Sequence, residues 1–190
     1  HVLGDDELCI VVNTGDDFTH LGLRICPDID TVTYTLAGCV NTETGWGRAE
    51  ETGTFMASLK TLGGEDWFYL GDKDLAMHVE RTRRLAAGEN LGTVTQALSR
   101  KLGVSVPLIP MTDDTVETQV EVEGDVESLI LPFQDYFVRQ RCEPKLKAIH
   151  FVGQEHAQPH PQFLANLLDP DLDLIIICPS NPFLSVDPIL

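Results

Sequence analysis

Two adjacent carboxylates, Asp16 and Asp17, follow directly on an apolar run in the stretch "VVNTGDDF", and two more, Asp28 and Asp30, stand shortly beyond in "PDID". Aspartate is a poor strand former and neighbouring carboxylates repel one another, so the cluster suits a loop where a cation or polar ligand offsets the repulsion. Carboxylate oxygens gathered in so short a span are also the donor set that collects a hard divalent cation. The competing assignment is structural: Asp30 caps the next helix and the rest are solvated. Spacing leaves both readings open.

Two further polar clusters follow apolar runs, "PMTDD" (110–114) and "CPSNP" (178–182). Ser180 and Asn181 lie between prolines, so their hydroxyl and amide are held in a stiff loop that suits a phosphate or a base edge, although the same residues form ordinary turns. His78 stands four residues after Asp74 and reads as a structural helix pair. His156 and His160 have metal-like spacing, but Pro159 between them spoils a helix, so both read as loop histidines. No nucleophile elbow, Walker loop, zincin motif or dinucleotide fingerprint is present.

The elements that must position these loops follow from periodicity. Residues 8–13 read as a buried strand, and residues 28–38 as a helix with Asp30 as its cap and Gly38 as its stop. Helices are predicted over 48–62, over 74–87 with Asp74 as cap and arginines late, and over 91–102. Residues 104–109 read as a strand. The alternation in "VETQVEVE" (116–123) predicts a strand with one wet face, turning at Gly124-Asp125 and returning over 129–133. Strands over 147–152 and 172–178 flank a short helix near 163–168. The order predicts an α/β fold: a three-layer, Rossmann-like sandwich with a mostly parallel sheet and a small antiparallel insertion, in one domain over 1–190. In such sheets ligands bind beyond the carboxyl ends of the strands, where the three polar loops lie.

The formal net charge of −17 surrounds the chain with negative potential and argues against nucleic-acid binding. No apolar run approaches the roughly 20 residues of a membrane helix. Five scattered cysteines without a C-x-x-C pair fit neither a disulfide framework nor a zinc site, so a reducing cytoplasm is expected, with Cys9 and Cys178 as small core residues. The final "LSVDPIL" stops on an apolar pair, as though the fold continued.

Taken in order, "VVNTGDDF", "GLRICPDIDTVTYTLAG", "GWG", "WFYLGDKDLAMH", "VPLIPMTDD", "FQDYFV" and "PSNPFLSVDPIL" give a chain that resembles the 2-phospho-L-lactate transferase family of coenzyme F-420 biosynthesis. The resemblance implies a magnesium-dependent enzyme that moves a phospholactyl or phosphoenolpyruvyl group from a guanylated donor to the deazaflavin FO, with release of GMP. It places Asp30 and Tyr69 against the deazaflavin, gives Asp30 a catalytic part, makes Asp16 and Asp30 the magnesium ligands, and sets Asn13, Thr14, Ser180 and Asn181 near the guanine nucleotide. It also implies that the family's N-terminal Gly-rich strand and loop and its C-terminal part are missing here. The alternative is a non-enzymatic UDP-sugar-binding regulator of the related gluconeogenesis-factor group, whose loop typically runs "ADDGGSSG" where this chain has "GDDFTHLG". Which three-carbon acid is carried, and whether a homodimer forms, are left open by the residues.

Overall fold

The computed structural model describes Gly4, residues 7–124 and residues 127–190. The chain is a mixed α/β protein with a parallel ladder and an antiparallel insertion, in agreement with the predicted class. Strand β1 (Ile10–Val12) leads into a hairpin of β2 (Phe18–His20) and β3 (Leu23–Ile25), whose turn holds Leu21 and Gly22 at positive φ. That pairing of left-handed residues is what a two-residue hairpin turn needs to match strand twist. Helices α1 (Pro27–Leu36), α2 (Thr54–Thr61), α3 (Asp72–Ala86) and α4 (Leu91–Lys101) follow before β4 (Leu108–Pro110).

β1 and β4 pair in parallel, with Val11 opposite Ile109. The apolar face of the ladder is closed by helices: Val12 and Leu108 pack with Cys26 and Ile29 from the start of α1 and Leu91 from α4. A second cluster joins Ile25 of β3 to Met56 of α2 and to Leu70 just before α3. The insertion is a three-stranded antiparallel sheet in the order β6 (Leu129–Pro132), β5 (Glu117–Val122), β7 (Leu146–Val152). Its central strand buries every second residue, Thr118, Val120 and Val122, as the alternation predicts. Asp125 of the predicted turn lies outside the described residues. Helix α5 (Pro161–Leu167) and short helical turns at 182–189 complete the described chain.

Several boundaries differ from the sequence reading for identifiable reasons. Helix α1 starts at Pro27, where proline needs no N–H partner, so Asp30 lies within the first turn and does not cap it. Helix α2 starts at Thr54 because Asp72 accepts hydrogen bonds from the Thr54 and Phe55 amides (3.1 and 3.0 Å) and fixes the start there. In exchange Glu51 accepts from the Lys73 and Asp74 amides (2.8 Å each), so Asp74 sits inside the first turn of α3. Residues 172–178 form no strand: Leu174 and Ile177 are 69% and 64% exposed, and Cys178 is exposed too. Among the described residues β1 pairs only with β4, so this apolar run has no ladder to join.

Candidate functional site

β1 ends at Val12, and the chain turns sharply through Asn13, Thr14 and Gly15, all three buried. The Asn13 side chain organises the corner. Its Oδ1 accepts from the Gly15 amide (2.8 Å), while its Nδ2 donates to Asp28 Oδ2 (2.8 Å) and to the Leu184 carbonyl (3.2 Å). One amide thus joins the acidic loop, the start of α1 and the segment after "PSNP". Gly15 is required by proximity, since a Cβ there would stand 2.9 Å from Thr118 Oγ1 and 3.1 Å from Asn13 Oδ1.

Charge in this corner is under-compensated. Burial first, and the Asp28 charge second, push Asp16 up to about 7. Burial also raises Asp28, against the lowering effect of the Asn13 hydrogen bond. Asp16 Oδ1 and Thr14 Oγ1 are buried without a hydrogen-bond partner among the described residues. Beneath them burial pushes Asp17 to about 7 even though Arg24 lies 3.5 Å away. Oxygen donors whose negative charge is costly in place are what a magnesium ion relieves, so Asp16 and Asp28 fit such a group.

Asp30 faces another network. Both of its oxygens receive Arg81 guanidinium nitrogens from α3, and Asp30 Oδ2 lies 3.6 Å from His78 Nδ1. Since a guanidinium only donates, the Arg81 Nη1 contact with His78 Nδ1 (3.2 Å) makes that nitrogen the acceptor and leaves the ring proton on Nε2, which faces Asp74 at 3.3 Å. Tyr34 Oη donates to the other Asp74 oxygen at 2.5 Å. Burial works against the Asp74 carboxylate, but His78, Tyr34 and Arg81 outweigh it and hold Asp74 below its usual range. Atoms of Asp30, Asp74 and His78 lie within 4.8 Å of one another, yet Arg81 already supplies the cation. Arg81 thus neutralises Asp30, while the carboxylate whose charge acts most on Asp16 is Asp28.

The second network opens onto a cleft of about 250 Å³ lined by Trp46, Arg48, Glu51, Tyr69 and Asp74. The predicted Tyr69 is here, half exposed; Trp46, Arg48 and Asp74 in the same cleft were not singled out as site residues from sequence. The signal for Asp74 was its spacing: Asp74, His78 and Arg81 share one face of α3, where polar residues at i, i+4 and i+7 mark a buried polar seam. Ser180 and Asn181 are exposed, and Asn181 Oδ1 is used to cap the following turn through the Phe183 and Leu184 amides (3.0 and 3.1 Å). His160 starts α5, its Nδ1 accepting from the Gln162 amide, and His156 is an exposed turn residue.

A polar corner beyond the parallel strands of an α/β fold and a cleft lined by Trp46 and Tyr69 are the kinds of place where such folds carry ligand sites. More particularly, residues 3–190 match the family described as 2-phospho-L-lactate transferase CofD, and the chain belongs to that family. It is 46% identical over 187 residues to the phosphoenolpyruvate transferase of Streptomyces coelicolor, covering 98% of this chain and 58% of that protein. It is 43% identical over 185 residues to that of Thermobifida fusca (97% and 57%) and 41% identical over 193 residues to that of Mycobacterium tuberculosis (100% and 58%). The chain thus spans a little under three-fifths of the relatives it matches. Its fold is also that of a UPF0052 family member from Bacillus halodurans, at TM-score 0.54 and 13% identity, covering 94% of this chain and 53% of that one. No helix among the described residues is long and apolar enough to cross a membrane.

Proposed function

We propose that the whole protein of which this chain forms part transfers a phosphoenolpyruvyl or phospholactyl group from a guanylated donor to the terminal hydroxyl of FO, releasing GMP and leaving a phosphodiester. Family membership and the names of the relatives support the transferase class. The observation that carries the site is Asn13, which ties Asp28 and the Leu184 carbonyl to the acidic loop in one corner.

In this reading Asp16 and Asp28 hold a magnesium ion, which when bound offsets negative charge on the donor phosphates. The residues of the chain do the rest. Asn13 fixes the orientation of Asp28, and the buried Thr14 hydroxyl, unpartnered among the described residues, supplies a donor toward an anionic nucleotide. The exposed Ser180 hydroxyl is a second donor for the nucleotide. Asp74, kept ionised at the cleft by His78 and Tyr34, accepts a hydrogen bond from the acceptor hydroxyl and aligns it for attack at phosphorus. Asp30 acts at one remove, positioning His78 and α3 through Arg81.

The test is direct. The full-length protein is incubated with FO, a donor in which lactate or enolpyruvate is esterified to the terminal phosphate of GDP, and magnesium, and the products are weighed by mass spectrometry. A phosphodiester of FO with stoichiometric GMP is expected; FO recovered unchanged with an intact donor would end the proposal.

A further inference from the structure

Trp46 is 56% exposed at the tip of a strap whose construction fixes it over the cleft. Glycines on both sides, Gly45 and Gly47, have φ of 76° and 70°, a left-handed backbone that a larger residue adopts only with strain. The strap is closed by the Asn41 amide on the Gly47 carbonyl (2.9 Å) and by a bridge between Val40 and Arg48, and the Thr44 hydroxyl holds the Trp46 carbonyl (2.7 Å). Its far end is pinned to α3 by Glu51 on the Lys73 and Asp74 amides. A large indole kept half in water on so constrained a loop is not filling a core.

Tyr69, 50% exposed, lines the same cleft, and Arg48 at the base of the strap lies over Tyr34. The Arg48 guanidinium lies 5.5 Å from the Tyr34 ring centre, and its Nε is buried with no hydrogen-bond partner among the described residues. Two half-exposed aromatic faces and an unsatisfied donor suit a planar conjugated ring bearing acceptor oxygens, because stacking and a charge-assisted hydrogen bond then act together.

We propose that Trp46 and Arg48 determine acceptor specificity: the fused ring of the acceptor lies against Trp46, and Arg48 donates to a ring oxygen. This rests on the transferase reading above and adds two residues to it. The strap then serves as a rigid wall, and the side chain of the acceptor runs toward Asp74.

The experiment is FO binding to the full-length protein, followed by fluorescence, with steady-state kinetics in parallel. Trp46→Ala weakens FO binding and raises its KM by on the order of tenfold, leaves the KM for the guanylated donor unchanged, and Trp46→Phe restores most of the loss. Both variants should melt with the unmodified protein, since the indole is largely exposed. FO bound by Trp46→Ala within about twofold of the unmodified protein overturns the cleft assignment alone. An unmodified protein that binds no FO overturns the transferase reading and the assignment with it.

Discussion

Two polar regions flank α1, and they are built on opposite principles. On one side Asp30, Arg81, His78, Asp74 and Tyr34 form a closed chain in which the buried carboxylates meet donors. On the other, Asp16 and Asp28 lie together, with Asn13 answering Asp28 and Thr118 acting on Asp16, and burial still drives their protonation upward. Carboxylates that already meet donors need no added cation, although His78 Nε2 and Arg81 Nε stay without a hydrogen-bond partner among the described residues, whereas a buried pair of carboxylates close together is stable in ionised form only when something positive joins it.

The largest expected effect comes from breaking the satisfied side. Arg81→Ala leaves Asp30 buried beside Asp17 with no guanidinium and should cost about 3–5 kcal/mol of stability, measured by denaturant unfolding. Adding Asp30→Asn to Arg81→Ala should recover part of that loss, because the stranded charge is what destabilises. A single variant that unfolds like the unmodified protein would mean that the network is not the scaffold described here.

Much of the fold could be read along the chain because its signals are local. The alternation in 117–122 announced a strand with one wet face, and Gly38 marked the end of α1, where its φ of 66° favours glycine. The aspartate-rich loop was legible for the same reason, as an unusual composition directly after a strand. The partners of those aspartates were not. Asp30 finds Arg81 across 51 positions and Asn13 finds Leu184 across 171, and nothing in either neighbourhood encodes the pairing. Residues 172–178 show the converse: a strand-like composition needs a neighbouring strand before it becomes one.

The unsatisfied side gives a smaller effect, and one that depends on pH. Asp16 titrates at about 7 in the folded chain against an ordinary value of 3.8, so the folded state holds its proton more tightly than the unfolded state. The stabilisation from that proton is full below about pH 4 and is lost as pH rises toward about 7, a decline of at most a few kcal/mol because the residue is partly exposed. Asp16→Asn should flatten this decline. Magnesium should raise the melting temperature of the unmodified protein more at pH 8 than at pH 5, and should do little for the variant. Equal magnesium shifts at both pH values, or in both proteins, would remove Asp16 from the metal site.

The smallest effect returns to the satisfied side and asks how redundant it is. Tyr34→Phe deletes one donor to Asp74 and leaves His78 facing the other oxygen. With one partner retained and the cleft open to water, the loss of stability should be about 1 kcal/mol, far below that of Arg81→Ala. The same change bears on function, because the Tyr34 ring also lies beneath the Arg48 guanidinium and Phe keeps that ring. Tyr34→Phe should therefore leave FO affinity nearly intact while lowering kcat, since Asp74 loses one of the two groups that fix its orientation toward the acceptor hydroxyl. A change in FO affinity without a change in kcat would shift the role of Tyr34 from aligning Asp74 to shaping the cleft.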